Sequence, residues 1–230
     1  MNYDAIIFDL DGTLIDYDYA QYSAVNNLLE SLSWKSDTKP SIKDAFQLWY
    51  KEKLDISNRP DSNDMGFYDQ QKIILENFLA HYGIITDSTK LAENLIEDYK
   101  NSWRLYPDVL ECLFQYEDIP MHIISNGNSE FQRLKLTNTG IDKYFDQVLI
   151  SGDIGIKKPD IRIFQTLSQT INVNTDKLIY IGDRIEVDAK ASSDSGMLGI
   201  WINRKRISVD KTPKLIKQIF SLNELDEIIK

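Results

Sequence analysis

Two aspartates separated by one leucine, Asp9 and Asp11 in the stretch FDLDGTL (Phe8 to Leu14), follow a short apolar run. Acids in such a place lose hydration and repel each other, so the arrangement calls for a compensating positive charge. Polar groups also follow the other apolar runs: Ser125 and Asn126 after MHII, Lys158 shortly after VLI, and Gly182 and Asp183 after LIYI, with Asp188 five residues beyond Asp183. Carboxylates gathered with no His or Cys nearby make a hard oxygen site of the kind that suits Mg²⁺. A phosphate ester would complete the coordination of such an ion. Lys158 would then act as a point charge on its oxygens, with the Ser125 hydroxyl and nearby backbone N–H groups as donors. One carboxylate in this setting can attack phosphorus, and a second can protonate the leaving oxygen and later take a proton from water.

For these residues to meet, the apolar runs that precede them must lie side by side. Ligands of open α/β sheets bind beyond the carboxyl ends of the strands, which is where the polar residues fall. The segments YDAIIFDLD, MHIIS, QVLIS, KLIYIGD and LGIWIN read as strands, and PDVLECLFQY, EFQRLKLTNTG, DIRIFQTLSQT and VDAKASSDSG as intervening helices. This alternation predicts an α/β fold with a Rossmann-like, doubly wound parallel sheet covered on both faces. Pro107 in a first turn, and Gly140 and Gly196 just past a last turn, mark helix ends.

Residues 17–105 break the alternation. Apolar residues recur there at helical spacing, as in Ala20, Ala24, Leu28 and Leu32 or Leu91, Leu95, Tyr99 and Trp103. Ser41 with Asp44 reads as a capping box and Gly83 as a helix stop. Four helices and no strand are expected, forming a helical bundle inserted between the first strand and the rest. The domains are thus a core of residues 1–16 and 106–230 and a helical insert of residues 17–105, the segment that the family resemblance given below identifies as a cap. Asn58 to Gly66 is expected to be a polar loop carrying Arg59, and Thr212 to Lys230 to form helical turns packed on the core.

A formal charge of -10 argues against a nucleic-acid polymer as partner, because affinity for a phosphate backbone comes from Lys and Arg. The N-terminus has no basic flank and Asp9 interrupts its apolar run, so it reads as neither signal peptide nor membrane span. The single cysteine, Cys112 in VLECLF, reads as a small core hydrophobe and fits a reducing compartment. A cytoplasmic location is expected, with a monomer or homodimer acting on a small phosphorylated metabolite. His81 and His122 lie outside any metal-ligand spacing and read as structural. Asn203 to Arg206 (NRKR) reads as a solvated loop, and Trp49 and Trp103 as core packing.

Taken together, the motifs resemble the haloacid dehalogenase superfamily of phosphohydrolases. FDLDGTL is similar to its first motif, IISNG to its second, KKPD to its third and IGDRIEVDA to its fourth, in family order. The resemblance implies that Asp9 is the nucleophile and Asp11 the general acid/base. It implies that Ser125, Asn126 and Lys158 contact the phosphoryl group, and that Ser125 and Lys158 stabilise the aspartyl-phosphate intermediate. It also implies Mg²⁺ held by Asp9, the Asp11 carbonyl and Asp183, with Asp188 orienting the metal's waters or Lys158. Lys158 is chosen over Lys157 because the family's lysine directly precedes the proline. Dehalogenase relatives lack the acid at the position of Asp11, which favours a phosphatase. The second half, with SNGNSEFQRLKLTNTG and WINR, is similar to house-cleaning nucleotidases and N-acylneuraminate-9-phosphate phosphatases. Ser125, Asp108 and the SGD stretch depart from the usual pattern without removing a catalytic group. Nucleoside monophosphates are the preferred substrates, with sugar phosphates or a phosphomutase reaction as alternatives and a non-catalytic phosphate binder as the reading from another class. Specificity is expected from the cap, with Arg59 as its candidate residue.

Overall fold

A strand only a few residues long can be apolar throughout when helices cover both of its faces, and β1 (Ala5–Phe8) is buried at every position. The computed structural model describes residues 3–35, 38–57, 59, 65–209 and 216–229. Beside β1 lie β2 (Met121–Ser125) and β4 (Leu178–Gly182), both wholly buried, and the outer strands are β3 (Gln147–Ile150), β5 (Leu198–Ile202) and β6 (Lys217–Ile219). The six pair in parallel in the order β3-β2-β1-β4-β5-β6. Side chains alternate across the sheet with the period of two that a strand imposes. Ile6, Phe8, Ile123 and Ile181 join one apolar cluster, whereas Ile7, Ile124 and Tyr180 join another. Helices α5 (Val109–Gln115) and α6 (Ser129–Thr139) contribute to the first and α8 (Ile161–Ile171) to the second. Buried Cys112 belongs to the first cluster, and burial pushes its thiol up to about 12, so it serves as a hydrophobe.

Two connections differ from expectation. Ser151 opens a single helical turn, α7 (Ser151–Ile154), instead of prolonging β3. Beyond residues 210–215, which lie outside the described residues, the chain adds β6 to the free edge of β5 through Ile200–Lys217, Trp201–Gln218 and Ile202–Ile219. Among the described residues of this stretch, helical turns are confined to Leu222–Glu224 and α10 (Asp226–Ile229). A three-residue strand is too short to show a period, and it forms because the edge of β5 presents backbone groups that need partners.

The chain divides into two compact units, Met1–Tyr17 with Arg104–Lys230, and Asp18–Trp103. The two chain crossings are tied to each other inside the first unit: Ile15 bridges Leu105, Tyr106 N–H donates to the Leu14 carbonyl at 3.0 Å, and Arg104 pairs with Asp16 at 2.7 Å.

The second unit consists of α1 (Tyr17–Ser31, whose first residue belongs to the other unit), α2 (Ile42–Ser57), α3 (Phe67–His81) and α4 (Ser88–Asn101). Its interior includes Ala24, Leu28, Trp49, Phe78 and Leu95, with the Trp49 and Phe78 rings packed edge to face at 5.7 Å. The expected box at α2 forms with one change. Asp44 N–H donates to Ser41 Oγ at 3.2 Å, but the Asp44 carboxylate accepts from the Ser41 hydroxyl instead of its backbone. Gly83, at φ +65°, ends α3 in a Schellman motif, with Gly83 N–H on the Ala80 carbonyl and Ile84 N–H on that of Leu79. Of the loop expected between Asn58 and Gly66, Asn58 and residues 60–64 lie outside the described residues. No helix among the described residues is long and apolar enough to cross a membrane.

Candidate active site

The sheet order places β1 between β2 and β4, and successive connections run outward on opposite sides of it, so a crevice opens at the carboxyl ends of these three strands. Asp9 follows β1, with its N–H still paired to the Ile181 carbonyl of β4 at 2.8 Å. Ser125 is the last residue of β2, and Asp183 follows β4. Asp188 lies in a π-helical turn, Ile185–Lys190, which supplies the unusual local geometry often found at functional positions.

Lys158 comes from the loop between α7 and α8, and its ammonium is buried in this crevice. Nζ donates to Asp9 Oδ1 at 2.6 Å, to Asp188 Oδ1 at 2.7 Å and to the Tyr180 hydroxyl at 2.7 Å, which accounts for all three of its protons. Burial opposes the ammonium, but the Asp188 and Asp9 carboxylates outweigh it and hold Lys158 above its ordinary value. Asn126 clamps the lysine backbone by accepting from Lys158 N–H at 2.8 Å and donating to the Lys158 carbonyl at 2.9 Å. The side chain of Asn126 is therefore engaged in placing Lys158. Lys157, the alternative lysine, is exposed.

Asp188 accepts Lys158 on one oxygen and the Arg184 N–H on the other, at 3.0 Å. Gly182 makes this approach feasible, since a Cβ there would lie 2.4 Å from Asp188 Cβ.

Asp11 is drawn to a different partner. Lys135, buried on α6, donates to Asp11 Oδ2 at 2.6 Å and Oδ1 at 2.8 Å. Gln132, one helical turn earlier on the same face, donates to Asp11 Oδ2 at 3.0 Å and to Ser125 Oγ at 2.7 Å. The two aspartates of FDLDGTL thus have separate lysines. Neither Lys135 nor Gln132 stood out in the sequence. The available signal was two polar residues beside Leu136 on what must be the buried stripe of α6.

Asp183 has neither lysine. Its Oδ1 is buried and lacks a hydrogen-bond partner among the described residues, while its backbone carbonyl is anchored by Trp201 Nε1 at 2.8 Å. Gly12, at φ +84°, lets the turn after Asp11 pass against this carboxylate, because a Cβ there would come 2.4 Å from Asp183 Oδ2. Burial, then the Asp9 and Asp188 charges, push the Asp183 carboxyl up to about 8. Burial likewise pushes Asp9 up to about 7, helped by Asp188 and Asp11 and opposed by Lys158.

One oxygen from each of Asp9, Asp183 and Asp188 falls within 4.8 Å of the others. The Asp11 carboxylate is not part of this group. Four ionised carboxylates, three of them bonded to the two ammonium groups, leave two negative charges over, and the orphaned oxygen of Asp183 sits among them. A hard divalent cation fits that donor set.

Arg59 is exposed two residues beyond α2, in the second unit, and its backbone N–H donates to the Ile56 carbonyl at 3.1 Å. The expectation that NRKR is a solvated loop fails at its first two residues. Asn203 is buried, and Arg204 donates from Nε and Nη2 to the Thr13 carbonyl at 3.0 and 2.7 Å and from Nη1 to Asp108 at 2.9 Å, with its guanidinium 4.0 Å from the Tyr106 ring centre. Isolated basic residues look solvated in sequence; here an acid 96 positions away holds the arginine. His122 is buried in β2, and burial holds its imidazole below the ordinary value despite Asp146.

A sequence profile of haloacid dehalogenase-like hydrolases matches residues 6–202. Pyrimidine 5'-nucleotidase PynA of Streptococcus pneumoniae is 25% identical over 98% of this chain and 94% of its own length. A glyceraldehyde 3-phosphate phosphatase of Methanopyrus kandleri is 25% identical over 87% of this chain and 84% of its own. Among solved structures, the putative HAD-hydrolase YfnB of Bacillus subtilis, bound to magnesium, superposes with a TM-score of 0.78 at 21% identity, covering 99% of both chains. A dehalogenase superposes with a TM-score of 0.76 at 26% identity, covering 99% of this chain and 97% of that one. A parallel sheet in this order, motifs after β1, β2 and β4 with a fourth between α7 and α8, and a profile match from the first strand to the fifth have one reading: the chain belongs to the haloacid dehalogenase-like hydrolase family.

Proposed function

We propose that this protein is a divalent-metal-dependent phosphoric monoester hydrolase with Asp9 as its nucleophile. The observation that carries this is the buried Lys158 ammonium, 2.6 Å from Asp9 Oδ1 and beside the Asp9, Asp183 and Asp188 cluster. Lys158 fixes one oxygen of Asp9, while the other, 3.5 Å from the Thr13 hydroxyl, is the oxygen that attacks. Attack on phosphorus forms an aspartyl-phosphate and breaks the ester bond, and Asp11, entering this step protonated, delivers its proton to the departing oxygen. Water then attacks phosphorus and gives a proton to the Asp11 carboxylate while the bond from Asp9 to phosphorus breaks, which releases inorganic phosphate and restores both aspartates. Lys158 and the Ser125 hydroxyl stabilise charge on the phosphoryl oxygens. Asp9 and Asp183, with the Asp11 carbonyl, would hold Mg²⁺, which when bound supplies further neutralisation of those oxygens.

Nucleoside 5'-monophosphates are the preferred substrates, supported by the full-length similarity to a pyrimidine 5'-nucleotidase. Small sugar phosphates are the second reading, supported by similarity to glyceraldehyde 3-phosphate phosphatases. The unit of residues 18–103 is proposed as the cap that selects between them. Likeness to dehalogenases raises halide release as a rival activity. Asp11 argues against it, because a departing halide needs no proton.

The test is release of phosphate from para-nitrophenyl phosphate and from panels of nucleotides and sugar phosphates, with and without Mg²⁺. Turnover that requires the metal and falls at least about 10³-fold in Asp9→Asn is expected. Metal-independent turnover, an active Asp9→Asn variant, or no hydrolysis of any ester would each overturn the proposal. Sugar phosphates outperforming nucleotides would overturn only the substrate preference.

A further inference from the structure

We infer that Lys135, with Gln132, is a positioning residue for the reaction: it holds the Asp11 carboxyl in the orientation from which Asp11 transfers its proton. The inference rests on the proposed acid/base role of Asp11 but concerns residues outside the four motifs. Three observations carry it.

First, the contact is built and not incidental. The Lys135 side chain is only 3% exposed, and its Nζ reaches both oxygens of Asp11, at 2.6 and 2.8 Å. A buried lysine is retained only where a specific partner offsets its lost hydration. Its ammonium also lies 5.3 Å from the Tyr17 ring centre and 5.9 Å from that of Phe131, so its path to Asp11 is lined by aromatic faces that attract a cation.

Second, the same helix face ties Asp11 to the phosphate-binding side. Gln132 Nε2 bonds Asp11 Oδ2 and Ser125 Oγ, and it approaches the Asn126 carbonyl at 3.2 Å. A one-turn step along α6 therefore sets the distance between the proton-transfer group and the Ser125 hydroxyl. Gly127, at φ +141°, keeps this amide in place, because a Cβ there would lie 3.2 Å from Gln132 Cγ.

Third, the site divides its two buried lysines. Lys158 is saturated by Asp9, Asp188 and Tyr180, so it has no proton left for Asp11. Without Lys135, the side chain of Asp11, about a quarter exposed, would keep Gln132 alone as its bonded partner among these groups and would sample other rotamers.

The experiment measures kcat and KM for para-nitrophenyl phosphate with Mg²⁺, together with thermal melts, for Lys135→Met, Lys135→Arg, Gln132→Met, Asp11→Asn and the Asp11→Asn/Lys135→Met double variant. Lys135→Met is expected to lower kcat by about 30-fold while KM stays within about twofold, since misplacing a proton-transfer group costs turnover more than binding. Lys135→Arg should recover most of the loss. In the Asp11→Asn background, Lys135→Met should cost less than about twofold, because the two residues act as one unit. An unchanged kcat in Lys135→Met, or the same loss in both backgrounds, would sink the inference. If Lys135→Met does not fold, Gln132→Met decides: a loss confined to kcat and absent in Asp11→Asn supports the inference, and wild-type kcat overturns it. Full activity in Asp11→Asn itself would refute the acid/base role, a result distinct from failure of the Lys135 variants.

Discussion

Asp183 carries the least compensated charge of the site. Asp9 and Asp188 share Lys158 and Asp11 has Lys135, but the buried Oδ1 of Asp183 has no partner among the described residues. Replacing it with asparagine keeps the shape and removes the charge, so Asp183→Asn should melt no lower than the wild-type protein without metal. It should also lose at least about tenfold in Mg²⁺ affinity, as read by titration calorimetry. Gly12→Ala tests the same spot from the other side. The added methyl meets the Asp183 carboxylate at a positive φ that L residues resist, and a loss of about 2 kcal/mol in chemical denaturation is expected, with reduced metal affinity. Aspartates and glycine were legible at this scale because their types and strand-end placement already point to a metal and a phosphate. Lys135 and Gln132 were not, because their role depends on which way α6 faces, and two polar side chains within EFQRLKL look like the solvated side of a helix until packing turns them inward.

At the scale of elements, the turn after β1 is held in place by parts of the chain distant in sequence. Arg204, just beyond β5, grips the Thr13 carbonyl and pairs with Asp108 at the head of α5, and Asp108 also accepts from the Ser221 hydroxyl and the Leu222 N–H at 2.7 and 2.8 Å. Burial opposes the Asp108 charge, but Arg204 and Ser221 outweigh it and keep its carboxyl below the ordinary value. Removing one partner of such a pair leaves a buried charge exposed to no counterion. Arg204→Met should therefore destabilise the protein by about 3 kcal/mol in urea unfolding, whereas the conservative Arg204→Lys should recover only part of this because it lacks the planar fork. The departure of Asp108 from the usual family pattern is thus explained by a local ion pair. Five of the six strands were readable from their apolar runs, but β6 was not, since three residues carry no period and only the free edge of β5 makes them a strand.

For the molecule as a whole, charge and protonation link metal binding to stability. The folded carboxyls of Asp9 and Asp183 lie above the ordinary carboxyl value, at about 7 and about 8. With no cation bound, the native state therefore holds protons that the unfolded chain has already released, and these two groups cost it stability as pH rises through that window. Protons compete with the cation for the same oxygens. The rise in melting temperature on adding Mg²⁺ should accordingly be larger near about pH 8.5 than near about pH 5.5, and should vanish in Asp183→Asn at both. A shift that is equal at the two pH values would show that these carboxyls do not bind the ion.

The sequence by itself determined the family, the parallel α/β core and the strand-end placement of Asp9, Ser125 and Asp183, because hydrophobic periodicity and local motif spacing are properties of neighbouring residues. Only the tertiary structure decided how the charges are shared out. Which ammonium meets which carboxylate depends on helix facing and on contacts as remote as Lys135 with Asp11, 124 residues apart, and Lys158 with Asp9, 149 apart. The result is two lysines for four aspartates, with the remaining charge concentrated at the one carboxylate that a cation would complete.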